Sequence, residues 1–417
     1  MKKQIKEELK KQFLQDNRPW VVTFSGGKDS TLVLQLVMEM LLEIKNPKDV
    51  YVVSSDTFIE MPIIENYLYD VIDKIKTFVN KNNLNVKINI ITPDIQESFW
   101  SLLIGKGYPS PNRNFRWCTD RLKIKPTTKF LLDLIGEYES IIMLLGVRKA
   151  ESETRAKSIE KRDNNHRGLS MHDQIPNAYI LSPIKDWSNE DVWTFLSNNP
   201  APWGSHDNLM KLYDKGSGEE DCNIALNPDS ESCGKTRFGC WACSVVNKDK
   251  SMEGMIESGE EWMKPLNSFR DKLKIYRDDK TKREKRRRNG YSGLGPFLFE
   301  VRKEFLKELL SIEQKINHQL IKDEELHQIQ TYWNFDGDIQ NSAINLAKEY
   351  NRLENINIEN DIYTFLKEYQ NEVNIDLFSR LYEIEKQRKN SANRYGVLKE
   401  MKDRSLNYFK REFNEIK

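Results

Sequence analysis

Six residues, Ser25-Gly26-Gly27-Lys28-Asp29-Ser30, stand between a short β-branched apolar run at 19–24 (PWVVTF) and a helical run that begins at Thr31. That order constrains the fold more than any other feature of the chain. An uninterrupted apolar run of this length reads as a strand buried on both faces, as in a parallel sheet. The two glycines permit unusual φ and let backbone N–H groups approach an anion closely. The helix that follows adds the partial positive charge of its N-terminus. Ser25, Ser30 and Thr31 supply hydroxyl donors, and Lys28 supplies a mobile charge. The spacing is not that of a Walker A loop.

The alternation continues downstream. Residues 49–56 (DVYVVSSD) read as a second strand, 62–79 as a helix, 85–92 as a third strand, 127–135 as a helix and 140–146 as a fourth strand. Strands and helices at this rhythm predict an α/β fold with a doubly wound parallel sheet. Ligands on such sheets sit beyond the C-terminal ends of the strands. Asp56 closes the second strand, where an acid can meet a ribose, an adenine edge or Mg²⁺. Gly146, Arg148 and Arg155 follow the fourth strand and form a second candidate anion cradle. Residues 208–250 are rich in Gly, Cys, Asp, Ser and Asn, with little periodicity, and need a staple. After Pro296 the pattern is helical. The expected division is 1–200, 201–295 and 296–417, with an irregular cysteine-rich segment in the middle and a helical C-terminal region.

Lys and Arg number 65 against 64 Asp and Glu, a net charge of +1 over 417 residues, which excludes a uniformly basic protein but not a local basic patch. One such patch is 280–288 (KTKREKRRR), with seven basic residues and one acid. It reads either as a phosphate-binding run or as a solvated helix face. The longest apolar runs, 33–42 and 140–147, are too short to span a bilayer, and the first residues show no secretory apolar core. A cytoplasmic protein without a membrane partner is expected.

Five cysteines are too few for a disulfide scaffold. Cys222, Cys233, Cys240 and Cys243 fall within 22 residues, the last two at C-x-x-C spacing, and read as a metal centre. Spacing alone serves zinc and a 4Fe–4S cluster equally. The fifth, Cys118, precedes Asp120, Arg121 and Lys123, and the basic neighbours are expected to favour its thiolate.

The string SGGKDS after a strand resembles the PP-loop of the ATP pyrophosphatase family, which splits ATP between the α and β phosphates. That resemblance implies that Ser25, Gly26, Gly27, Asp29 and Ser30 hold the pyrophosphate. RWCTDRLKIKP (116–126), PIKDW (183–187), DVW (191–193), NLMKLYDKG (208–216) and GCWAC (239–243) resemble segments of the adenylylsulfate and phosphoadenylylsulfate reductases. Thr119 stands where those reductases pair a second cysteine, and no cysteine follows Cys243. SSDTFIEMP, SFWSLLIGKGYPSPN, LGVRKAESETRA and SCGKTRFGCWACSVVNKDKSM are similar to the DndC family, the ATP-dependent sulfurtransferases of the Dnd DNA phosphorothioation system, a DNA modification of the restriction–modification type.

This resemblance implies ATP and Mg²⁺ as cofactors with a 4Fe–4S cluster. It also implies DNA, a cysteine desulfurase as sulfur donor and other Dnd-system proteins as partners. The expected chemistry is adenylation of a DNA backbone phosphate followed by displacement of AMP by sulfur. Lys28, Asp29, Arg121 and Lys123 are the expected catalytic residues with Cys118, which either carries the sulfur as a persulfide or ligates the cluster. Arg116, Arg121, Lys123 and the run at 280–288 are candidates to hold the DNA backbone. The alternatives are a sulfonucleotide reductase, a tRNA thiolase or a non-enzymatic DNA-binding scaffold.

Overall fold

In a computed structural model of the chain, six strands form one sheet: β1 (Trp20–Thr23), β2 (Val50–Ser55), β3 (Val86–Ile91), β4 (Ile141–Leu144), β5 (Ser170–Met171) and β6 (Ala178–Leu181). Their order is β3-β2-β1-β4-β6-β5. All pairings are parallel except the short antiparallel contact of β5 with β6. The structure describes residues 2–44, 48–151, 156–157, 159, 168–217, 238–287, 291–338 and 340–352, and in the last stretch 374, 377–378, 380–382, 384, 397 and 400–405. The doubly wound sheet expected from the sequence is therefore present.

Alternation along the central strands divides the core into two layers. Trp20 and Val22 of β1, Val52 of β2 and Leu144 of β4 pack with helices α1 (Lys2–Leu14), α2 (Lys28–Glu43), α3 (Pro62–Lys81) and a later helix at Asn189–Asn198. Val21, Tyr51, Val53 and Met143 point to the opposite face and meet Leu131 and Leu134 of α4 (Lys125–Tyr138). Burial on both faces explains why β1 and β4 are apolar without alternation. Helix α1 buries Ile5, Leu9 and Phe13, one stripe at a spacing of four, and the Phe13 ring meets Trp20 edge-on at 4.9 Å. The sequence reading missed β5 and β6, because a two-residue and a four-residue strand leave almost no periodicity to read.

Two compact units result. The first is Met1–Asp94 with Pro111–Arg270, and the second is Ile95–Ser110 with Asp271–Lys417. The expected boundaries at 200 and 295 do not coincide with these. The reason is visible in the segment 95–110. A buried π-helical turn at Ser101–Gly105 inserts among the C-terminal helices. Trp100 Nε1 donates to Leu320 O at 2.9 Å, Trp333 Nε1 donates to Ile104 O at 3.0 Å, and Arg302 donates to Gly105 O at 2.7 Å. A Cβ on Gly105 would lie 2.7 Å from the Tyr332 ring, so only glycine lets the helix at Asp323–Phe335 come this close. Helices at Phe299–Ile316, Asp323–Phe335 and Ser342–Glu349 bear out the helical reading up to residue 349. Within the described residues the basic run is a short 3₁₀ turn at Lys280–Lys282 followed by an arm, 283–287, that pairs with residues 292–297, and not a helix face. Among the described residues no helix is long and apolar enough to cross a membrane.

Glu325 lies fully buried in the second unit, and its carboxylate accepts from the Lys322 amide at 3.0 Å. Burial nevertheless pushes its carboxyl up from 4.5 to about 7. The unfolded chain releases this proton at lower pH than the folded one. Stability from this site is therefore complete below pH 4.5 and is lost as pH rises toward about 7. The loss is on the order of 3 kcal/mol. Glu325→Gln should flatten that part of the stability–pH curve in chemical denaturation. An unchanged fall between those pH values would place its origin elsewhere.

Candidate functional site

The order of the sheet reverses between β1 and β4, and the loops that follow these two strands meet there. Gly26 has φ +75°, which only glycine adopts freely, and this turns the loop so that Gly27 caps α2 with no side chain of its own. Ser30 Oγ donates to Gly27 O at 2.9 Å and accepts from the Ser25 amide at 3.2 Å, and the Ser25 and Ser30 hydroxyls lie 3.1 Å apart. The two serines thus lace the loop shut. Thr31 is buried in the first turn of α2 and is not part of the cleft wall.

From the other side comes Gly146. A Cβ there would stand 2.7 Å from the carbonyl carbon and oxygen of Asp29 and 2.8 Å from the Ser30 amide. The glycine is what lets the two loops touch. Arg148 is buried, donates through Nε to Asp29 Oδ1 at 2.6 Å and reaches Trp187 O at 3.4 Å. Lys28, also buried, sets Nζ 3.1 Å from Asp29 Oδ2. One carboxylate therefore holds two cations beside the loop. Arg155 lies outside the described residues.

Asp56 is buried at the end of β2, accepting from the Phe58 amide at 2.8 Å and from the Tyr69 hydroxyl at 2.7 Å. It lines the cleft while shaping the turn that follows β2. Tyr213, which sequence reasoning did not place in the site, accepts from the Lys28 amide at 3.4 Å, and Lys28 Nζ lies 5.3 Å from the centre of its ring. Burial pushes its hydroxyl up to about 12. Its place in the LYDKG string was the available signal.

The segment after β2 also carries the cysteines. Glu60 and Cys240 form an isolated antiparallel bridge, and the Trp241 amide donates to Ile59 O at 3.1 Å. Buried Arg270 fixes the far end of this turn, donating to Cys243 O at 2.8 Å and to Asn247 O at 3.0 Å. Cys118 begins the π-helical turn Thr119–Ile124 and faces the same group. Burial raises its pKa, and the nearby Cys243 raises it further. The expected lowering by basic neighbours is thus reversed. Desolvation outweighs them, and Lys123 turns toward Glu60, at 3.5 Å. Burial, with the Glu60 charge, pushes the Cys240 thiol up to about 12, and Lys123 only partly offsets this. Burial works against the Lys123 ammonium too, but Cys240, Glu60 and Cys118 hold its pKa above the ordinary value.

So the structure brings Cys118, Cys240 and Cys243 together with Lys123 and Glu60. Cys222 and Cys233 lie outside the described residues, among which no three His, Cys, Asp or Glu side chains are arranged to hold a metal ion. Arg121 shares the turn with Cys118 and is half-buried, while Arg116 is exposed.

The loop after β1 opens on a cleft whose wall reaches Glu60 and Lys123, the neighbours of the cysteines, but among the described residues no cysteine lines it. Its volume is about 930 Å³, and its wall runs from Ser25–Ser30 and Arg148 past Asp56 to Glu60 and Lys123. Gly146→Ala tests the close approach. Overpacking here should raise the Kd for ATP about tenfold or more while thermal melting shows a folded protein. Unchanged affinity would show that the two loops need not touch.

Residues 19–246 match the phosphoadenosine phosphosulfate reductase domain. An uncharacterised protein of Methanocaldococcus jannaschii is 29% identical over 265 residues, which are 63% of this chain and 45% of that one. The chain spans less than half the length of the curated relatives it matches. Among solved structures, the phosphoadenylyl-sulfate reductase of Candida auris in complex with phosphate is similar at 16% identity and TM-score 0.33, over 50% of this chain and 84% of that one. The U34-tRNA thiolase of Methanococcus maripaludis with its 4Fe–4S cluster is similar at 13% identity and TM-score 0.29, over 66% of this chain and 78% of that one.

Proposed function

The chain belongs to the phosphoadenosine phosphosulfate reductase domain family, and from that premise we propose that it is an ATP-dependent sulfurtransferase that installs sulfur in the DNA backbone. The observation that carries the reading is one cleft with the loop after β1 at one wall and, at another, Glu60 and Lys123, the residues beside the thiols. A nucleotide-activating site and a sulfur site are thereby neighbours.

A phosphodiester oxygen is a poor leaving group. In the proposed reaction, a backbone oxygen attacks the α phosphorus of ATP, and the bond to the β phosphate breaks. Pyrophosphate leaves. A sulfide-level nucleophile then attacks the DNA phosphorus, and the bond to AMP breaks. Backbone amides at Gly26–Lys28 would face the departing pyrophosphate, and its charge would compete with Asp29 for Lys28 and Arg148. The chain's contribution is position and fixed charge.

Mg²⁺ would arrive on the nucleotide's phosphates, because Asp29 and Asp56 are already engaged by internal donors. Cys118, Cys240 and Cys243 are donors of the type an iron–sulfur cluster takes and are the residues that would hold one, although as placed no three of the described side chains are arranged around a metal ion. A cluster bound there would supply a sulfur-binding site beside the cleft. A cysteine desulfurase would deliver the sulfur as a persulfide, and a thiol reductant would have to supply two electrons to bring it to the sulfide level used in the displacement. Lys123 would stand between the two sites as the cation facing both phosphate and thiolate.

The domain match equally favours a second reading, reduction of a sulfonucleotide. Product analysis separates the readings. Nuclease-digested DNA from cells with and without the chain should differ in phosphorothioate dinucleotides by mass spectrometry. Sulfite from an added sulfonucleotide, or thiolated tRNA, would replace this reading with its rival. ATP should give AMP and pyrophosphate, and Asp29→Ala or Ser25→Ala should lower that rate by about 10²-fold or more. Full activity in both variants would move the nucleotide site elsewhere.

Chain purified without oxygen should be brown and contain iron. Cys118→Ser should lose iron as Cys240→Ser does. If Cys118→Ser keeps its iron but inserts no sulfur, Cys118 is the sulfur carrier instead.

A further inference from the structure

We propose that the paired arms at 283–287 and 291–297 form a docking surface for the phosphate backbone of double-stranded DNA. The proposal rests on the DNA reading above and names the element that would hold the duplex.

The pair of arms is a built element. Arg283 bridges to Phe297 and Arg286 to Ser292. Backbone bonds run from the Glu284 amide to Pro296 O and from the Gly295 amide to Glu284 O, each 2.8 Å, and from the Arg287 amide to Tyr291 O at 2.9 Å. One member of the basic run is consumed in building it. Arg283 is only 7% exposed, and its guanidinium donates to Gly295 O at 2.5 Å, to Arg277 O at 2.9 Å and to Leu294 O at 3.4 Å. Gly295 has no room for a side chain, since a Cβ would come within 1.9 Å of Arg286 O. The two strands are thus pinned at the base by a buried cation that cannot reach a ligand.

The remaining charge points outward. Lys285, Arg286 and Arg287 are exposed and make no ion pair among the described residues, and the partner strand adds Tyr291, 72% exposed. Glu284 is the single acid among the described residues of the two arms. Arg288 lies outside the described residues. Three consecutive exposed cations against one acid match the closely spaced charge of a phosphate row, and a two-stranded ribbon has the width that the major groove admits.

The test is the salt dependence of binding to a short fluorescent DNA duplex of mixed sequence. Each phosphate contact releases counterions and contributes about 0.9 to the slope of log K against log salt concentration. The triple variant Lys285→Ala, Arg286→Ala, Arg287→Ala should flatten the slope by up to about 2.7 and weaken binding on the order of tenfold or more near physiological salt. Arg286→Lys with Arg287→Lys keeps the charge and should keep the slope, which separates lost charge from lost structure. Thermal melting of each variant checks the fold. If the wild-type chain binds DNA and the triple variant binds with the same slope, the paired arms are not the docking surface, and the DNA reading stands without them. If the wild-type chain does not bind duplex DNA at all, both fall.

Discussion

The ion pair between Asp29 and Arg148 governs the site. These residues follow β1 and β4, neighbours in the sheet at the point where its winding reverses. Arg148 is 2% exposed and Lys28 is 5% exposed. A buried cation is costly unless it is paired and hydrogen-bonded. Asp29 pairs with both, at 2.6 and 3.1 Å. Two cations against one carboxylate leave a net positive charge held at low solvent exposure. Removing Asp29 would leave both cations uncompensated and would disturb the loop itself, so its role is structural and electrostatic together.

A second constraint ties the cysteines to the same sheet. The chain leaves β2, turns at Asp56 and passes Phe58 with φ 64°. Ile59 and Glu60 then pair with the turn at Cys240 and Trp241. Main-chain bonds carry register from the strand end to the thiols, so the distance between phosphate loop and cysteines is set by the sheet rather than by a free loop. Arg270 closes the far side by holding the carbonyls of Cys243 and Asn247. Glu60 serves both functions, as a backbone partner of Cys240 and as the carboxylate that keeps Lys123 at the cleft.

Much of this was legible in the sequence, and the reasons are particular. The turn after β1 could be read because Gly26, Gly27 and Ser30 act through local backbone geometry over six residues. The strands β1 and β4 could be read because burial on both faces leaves an uninterrupted apolar run. The second unit could not be read at 95–110, because its turn at Ser101–Gly105 and the adjacent Trp100 are fixed by Arg302, Leu320 and Trp333, partners 197 to 229 residues away and invisible to periodicity. The thiol pKa failed for a related reason. Charges adjacent in sequence suggested a lowered value for Cys118, while burial and Cys243, distant in sequence, decide its direction. In the basic run, composition could not distinguish Arg283, which anchors the paired arms, from Arg286 and Arg287, which face solvent.

Tyr213 shows how the loop keeps its shape before a ligand arrives. The first amides of a helix have no intrahelical partner, and at α2 the Lys28 amide is met by the Tyr213 hydroxyl at the long distance of 3.4 Å. The ring itself is firmly placed, edge-on to Trp193 at 5.0 Å and to Phe238 at 5.1 Å. A rigid ring with a weak hydroxyl contact satisfies the amide without binding it tightly. A charged phosphate oxygen makes the stronger hydrogen bond and can take over the amide while the ring stays in place. The site is then preorganised, because the groups that order the free loop yield their contacts without repacking, and little of the binding energy is spent on rearrangement.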